Sequence, residues 1–109
     1  MEKCRTQKQI EQYQTNEKIL GLLSEYRTDY IYAQDTVNTD KLFNCSASII
    51  YGDCGIWLRS YRTVIGFIPY NEKTCYDFLR YVYGYTATSA QHIRKFMQKF
   101  NIERKVTYY

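Results

Sequence analysis

Four cysteines and one histidine are the side chains most able to do covalent or metal chemistry. A Cys–His pair can act as nucleophile and base when a third group orients the imidazole. Here His92 would have to serve Cys4, Cys45, Cys54 or Cys75, and no local signature surrounds any of them. Structural zinc sites bring their ligands in close pairs, two to four residues apart. Cys45, Cys54, Cys75 and His92 are spaced far more widely, and Cys45 and Cys75 lie in strand-like apolar segments, so buried free thiols are the expected state. The carboxylates Asp35, Asp40, Asp53, Glu72 and Asp77 fall mostly at turns, where they bond to nearby backbone. Five scattered glycines form no phosphate loop. No catalytic site, cofactor or metal is therefore expected.

The remaining chemistry is cationic and aromatic. Residues 1–54 hold six Lys/Arg against eight Asp/Glu, net −2, whereas residues 55–109 hold nine against three, net +6. A basic half attracts phosphates or an acidic protein surface and argues against an acidic mimic of DNA. On a C-terminal helix, His92, Arg94, Lys95 and Lys99 fall off the apolar stripe and are expected to face outward. Arg59, Arg62 and Arg80 are interspersed with Trp57, Tyr61, Tyr81, Tyr83 and Tyr85. Basic groups neutralise phosphates and exposed rings stack on bases. Tyr, Trp and Arg are equally the residues that anchor protein interfaces. A solvated helix face beside a tyrosine-rich sheet is the plainer account of each residue singly, since the chain has 13 tyrosines and little else to fill a sheet.

These residues need elements to hold them. The chain has 109 residues, enough for one domain with its own core, and 45% of them are hydrophobic. Ile19, Leu20, Leu22, Leu23 and Tyr26 make an apolar face within a helix or arm over residues 1–28, with Thr15 or Asn16 as an alternative start. A domain over 29–109 follows. Residues 29–33 read as a short strand and 34–41 as a loop. Residues 43–51 alternate, with Phe43, Cys45, Ala47, Ile49 and Tyr51 on one face. A turn at Gly52–Gly55 leads to strands at 56–61 and 63–68, with Arg62 between them. Residues 74–83 fit a helix or a strand; their aromatic content favours the strand. A helix over Ser89–Phe100 has Thr88 and Gln91 at capping-box spacing, buries Ile93, Phe96, Met97 and Phe100, and ends at Asn101. A basic tail carries Arg104 and Lys105. The order gives an α+β fold: a small antiparallel sheet of three to four strands packed by a C-terminal helix and an N-terminal helix. Met1 to Gln14 is polar, without the apolar core of a signal peptide, and no stretch reaches the roughly 20 apolar residues of a membrane span, so a cytoplasmic protein without membrane contact is expected.

The segments Leu58-Arg59-Ser60-Tyr61-Arg62-Thr63-Val64-Ile65 and Gly84-Tyr85-Thr86-Ala87-Thr88-Ser89-Ala90-Gln91-His92-Ile93-Arg94-Lys95-Phe96 resemble a family of small proteins from phages and prophages of Gram-positive bacteria, a domain of unknown function. The family pattern is a Ser-Tyr-x-Thr strand followed by a Ser/Thr-Ala-Thr-Thr/Ser-x-x-His-Ile-x-x-Phe helix start. The likeness spans about residues 56–100, and Thr86-Ala87-Thr88-Ser89 departs mildly from the commoner Ser-Ala-Thr-Thr. It implies a mobile-element origin and assigns no catalytic residue. Within the motif, Thr88 caps, Ile93 and Phe96 pack, and His92 either bonds to a neighbouring strand carbonyl, the preferred reading, or contacts a partner. The expected function is a phage-encoded, non-enzymatic protein that binds and inhibits a host defence nuclease in the manner of anti-CRISPR proteins, within the bacterial cytoplasm. The alternative is a small basic DNA- or RNA-binding accessory protein. Either would use Arg59, Tyr61, Arg62, Arg80, Tyr83, Tyr85, His92, Arg94, Lys95 and Lys99.

Overall fold

A computed structural model describes residues 24–43, 46–83 and 87–108. The fold is α+β, and the sheet is larger than the sequence suggests: six strands rather than three to four. A short 3-10 turn, Ser24–Tyr26, leads into helix α1, Arg27–Asp35. The strands are β1 (Asp40–Lys41), β2 (Ala47–Tyr51), β3 (Gly55–Ser60), β4 (Thr63–Pro69), β5 (Thr74–Asp77) and β6 (Arg104–Thr107). Helices α2 (Leu79–Tyr83) and α3 (Ala87–Lys99) lie between β5 and β6 in the chain. The strands stand in sequence order, antiparallel from β1 to β5, and β6 returns parallel to β5 after the helical crossover. Parallel neighbours require such a crossover, which α2 and α3 supply. The arm or helix expected before residue 24 lies outside the described residues.

Helices cover both faces of the sheet, which is why the central strands read as nearly continuous apolar runs. Trp57 and Phe67, partners in the β3–β4 register, stack at 4.0 Å between ring centroids, and Tyr30 of α1 meets Trp57 edge-on at 5.9 Å. Tyr26 packs on Phe67 at 4.9 Å. The next pair along, Leu58 and Gly66, faces the other way, toward α3. A Cβ on Gly66 would come within 3.3 Å of Ile93 Cδ1, so the bare glycine lets the helix sit close to the sheet. In β2 both Ile49 and Ile50 are fully buried, one to each face. The alternation expected for that strand holds at Ala47, Ser48 and Ile49; it fails at Ile50, which the second face buries, and at Phe43 and Tyr51, which are exposed rather than on an apolar face. Ile93 and Phe96 are buried as expected, while Met97 and Phe100 pack partly buried at the core's margin.

Several element assignments change: the loop expected over 34–41 holds the end of α1 and strand β1, the strand expected over 43–51 is described as β2 from Ala47, and the basic tail holds β6. Residues 29–33 are helical within α1, because Asp29, Tyr30 and Ala33 turn inward together at helical spacing. Residues 74–83 are divided, strand to Asp77 and helix from Leu79. The Asp77 carboxylate accepts the Leu79 N–H at 2.9 Å and so turns the chain out of β5. Helix α3 opens at Ala87, which places Thr88 inside the first turn rather than at the cap, exposed to solvent. At its other end Asn101 takes the left-handed conformation foreseen, φ 56°. Among the described residues no helix is long and apolar enough to cross a membrane.

Candidate functional site

The parallel register of β5 and β6 sets Asp77 beside Thr107 and Cys75 beside Lys105. Asp77 also stands opposite Gly66, so this side of the two strands is the one that α3 covers further along the sheet. Ile93 of α3 lies over Gly66 of β4, inward of the β5–β6 edge. A cleft of about 310 Å³ is left there, walled by Asp77 on β5, Lys105 and Thr107 on β6, Leu79 and Arg80 on α2, and Ala90, Ile93 and Arg94 on α3. Ala90, Ile93 and Arg94 are neighbours on the helix surface at three- and four-residue spacing, so one flank of α3 forms one wall. Arg80 and Arg94 are exposed, and the Lys105 side chain is 42% exposed. The Asp77 carboxylate, almost buried, holds its second oxygen 3.9 Å from Lys105 Nζ. Three cationic residues and one carboxylate thus line a single concave site. Guanidinium groups offer paired N–H donors that match phosphate oxygens.

The ten residues read from the sequence do not form one surface. Arg94 and Arg80 line the cleft. Lys99 leaves it, with its ammonium 5.5 Å from the centre of the Phe43 ring on α3's opposite flank. Lys95 is half-buried. Arg59 is committed to structure: one guanidinium nitrogen donates to the carbonyls of Ala33 and Gln34, both at 3.0 Å, and satisfies the C-terminal end of α1. Arg62 and Tyr61 are exposed at the tip of the β3–β4 hairpin, where the Arg62 carbonyl accepts from Gln34 Nε2. Tyr83 ends α2, and Tyr85 lies outside the described residues. Trp57, counted among the exposed aromatics, is instead fully buried. Lys105 and Thr107 lie on a strand where the sequence suggests a tail; the alternation Lys105-Val106-Thr107 is the signal that points to it.

His92 is a correction as well. It is 2% exposed, not outward-facing. Its Nδ1 lies 2.7 Å from Ser60 Oγ of β3, and Ser60 lies 3.2 Å from Ser89 Oγ. The imidazole thus bonds to the neighbouring strand through a hydroxyl rather than a carbonyl. Burial lowers its pKa, and the Lys95 charge adds to the effect. Ser60 is fully buried, so the pair joins helix to sheet and presents no hydroxyl to a substrate. Cys75 is also fully buried, and burial pushes its thiol up to about 12, far from the reactive thiolate. Among the described residues no three His, Cys, Asp or Glu side chains come together as metal ligands. No family model, curated protein or solved structure matches the chain.

Proposed function

We propose that this chain is a small nucleic-acid-binding protein that grips phosphate in the cleft between α2, α3 and the β5–β6 edge. The observation that carries the reading is the convergence of Arg80, Arg94 and Lys105, from three separate elements, on one concavity. Cations scattered over a surface for solubility have no reason to meet in a cleft, whereas phosphate binding requires it. Titration of labelled single-stranded RNA and DNA at low and high salt tests the reading. Affinity falls with salt, and Arg94→Gln and Lys105→Gln each weaken binding and lower the salt slope by about 0.7. Lys73→Gln, an exposed cation outside the cleft, leaves both unchanged. Absence of binding at low salt ends the proposal.

A separate observation favours a second reading, the inhibitor of a host defence nuclease. Phe43 and Tyr61 are 49% and 60% exposed, and both are held at positive φ, 53° and 57°. Left-handed backbone at a bulky residue costs roughly 1–2 kcal/mol, and such strain concentrates where a side chain must be presented. Tyr61 stands 6.0 Å from the His92 ring and Phe43 beside Lys99, so the two flank α3 away from the cleft. Exposed aromatic anchors, one of them beside a cation, suit a protein partner. Retention of a defence nuclease by the chain, lost in Phe43→Ala/Tyr61→Ala but kept in Arg94→Gln, is the expected result. Equal retention by both variants removes this reading.

A further inference from the structure

We infer that the outer edge of β6 takes up an acidic peptide in extended form, which joins the six-stranded sheet as a further strand; this goes beyond the nucleic-acid reading and is tested apart from it. The backbone is the first ground. β6 is the last strand of the sheet and pairs with β5 alone. Along a strand, the N–H and C=O groups of successive residues point alternately to one side and to the other. The Tyr108 N–H donates to the Asp77 carbonyl at 2.9 Å, so Tyr108 and, two residues back, Val106 turn their backbone toward β5. Lys105 and Thr107 therefore turn theirs outward, and among the described residues neither a strand nor a turn bond meets these groups. Their N–H and C=O groups form a row to which an extended chain can pair. The opposite edge, β1, offers only two residues.

The side chains are the second ground. Strand addition draws affinity from main-chain bonds and selectivity from pockets beside the edge that receive alternate side chains. Lys105 and Thr107 turn their side chains to the cleft, so alternate side chains of an added strand stand on that same face, next to it. Charge then decides the occupant. Arg104 and Lys105 are exposed on β6, and the exposed Arg94 stands on the helical wall of the cleft. Basic residues on an edge strand keep identical edges apart, and a second copy of this chain, with its net charge of +4, meets like charge here. The same residues admit a strand bearing glutamate or aspartate, because opposite charges on neighbouring strands attract.

The test titrates the intact chain at low salt with a set of end-blocked hexapeptides. One alternates glutamate with valine, and a second replaces glutamate by lysine. Two more keep the acidic sequence but carry N-methyl groups on alternate backbone nitrogens, one on the glutamates and one on the valines. Methylation removes the donors toward one neighbouring strand and leaves the charge unchanged. The acidic peptide binds about tenfold or more tightly than the lysine peptide. Methylation of one set of nitrogens lowers its affinity about tenfold, the loss of roughly two backbone bonds, and methylation of the other set does not; the sensitive set reveals the direction of the added strand. In the complex, the amide hydrogens of Lys105 and Thr107 exchange more slowly with solvent, a change that attraction between side-chain charges alone does not produce. Thr107→Pro removes an outward N–H that the β5 ladder does not use, and weakens the acidic peptide about fivefold while Trp57 fluorescence reports an intact core. Should that variant unfold, Arg104→Glu on the exposed edge decides instead: it weakens the acidic peptide and strengthens the lysine peptide. Equal effects of the two methylated sets overturn strand addition, and equal binding of the acidic and lysine peptides overturns the acidic partner. A dimer that Thr107→Pro dissociates assigns the edge to a second copy and overturns the inference as well. Binding of single-stranded RNA without binding of any peptide overturns it while the nucleic-acid reading of the cleft stands.

Discussion

Asp29 shows how one side chain can fix the relation between a helix and a sheet. Its carboxylate accepts from the Trp57 indole N–H at 2.7 Å and from the backbone N–H groups of Asp53 at 2.7 Å and Cys54 at 3.2 Å. One residue on α1 therefore holds both the β2–β3 turn and the central tryptophan. A Cβ at Gly52 would collide with this carboxylate, so glycine is what admits the approach. Asp29→Ala leaves a buried indole N–H without an acceptor and costs about 3 kcal/mol, a fall in Tm of more than about 10 °C. Trp57 is the single tryptophan, so its fluorescence during urea unfolding reads the loss directly. An unchanged midpoint would show that the clamp adds nothing. His92 gives a second prediction at this scale. The folded imidazole binds its proton less readily than the unfolded one, so unfolding takes up a proton at mildly acid pH. Its contribution is fully present above the unfolded value of 6.5 and is lost as pH falls below it. His92→Gln flattens stability against pH in that window, as chemical denaturation between pH 7.5 and 5 will record. It is the only histidine, the side chain type whose ordinary pKa falls in this window, so the slope can be assigned to it.

At the scale of elements, α3 has the best-defined end. Ile102 N–H bonds to the Met97 carbonyl at 2.8 Å and Asn101 N–H to Gln98 at 3.3 Å, the paired bonds of a Schellman motif, with Asn101 at positive φ. Ile102, 7% exposed, then seats the chain for β6. Asn101→Ala places a less tolerant side chain in the left-handed region and destabilises by about 1 kcal/mol, while Asn101→Gly is neutral or better. Thermal melts of the two variants check the order, and the reverse order refutes it. This end was legible because its signals are local: an apolar stripe at helical spacing, then Asn. The central strands were legible for a similar reason, from short apolar runs broken by Gly52–Gly55 and Tyr61–Arg62. What sequence misread depends on distant partners. Asp29-Tyr30-Ile31-Tyr32 has the residues of a strand, yet Tyr30 is 1% exposed and Tyr32 44%, because Trp57 and the β2–β3 turn draw Asp29, Tyr30 and Ala33 to one side of a helix. Strand β6 was hidden by Arg104 and Lys105, charges that suit a sheet edge and disguise a strand as a tail. The cleft inherits that error. Arg80 and Arg94 were found by charge, but their meeting with Lys105 needed the parallel β5–β6 pairing, which no local pattern encodes.

For the molecule as a whole, β6 closes the sheet at the edge where the cleft lies, so its integrity and the cleft's are one question. Cys75 on β5 is a built-in reporter. It is fully exposed to a thiol reagent only when β6 or the whole sheet opens, since both faces and its strand edge are covered in the native state. Its thiol, pushed up to about 12 chiefly by burial, is unreactive besides. In a chain with Cys4, Cys45 and Cys54 replaced by serine, labelling of Cys75 in native buffer runs at least about a thousandfold slower than in urea, as expected for an opening of 4 kcal/mol or more, roughly. Removing residues 104–109 strips the parallel neighbour and accelerates native labelling by about tenfold or more. Trp57, between α1 and the central strands, still reports a folded core in that truncated chain. The same truncation deletes Lys105 and Thr107 from the cleft wall, so the nucleic-acid affinity proposed for the cleft is expected to fall with it. Rapid labelling in the full chain would mean that β6 does not stay paired with β5. The wall carrying Lys105 would then not be held in place, and Lys105 would not share one cleft with Arg80 and Arg94.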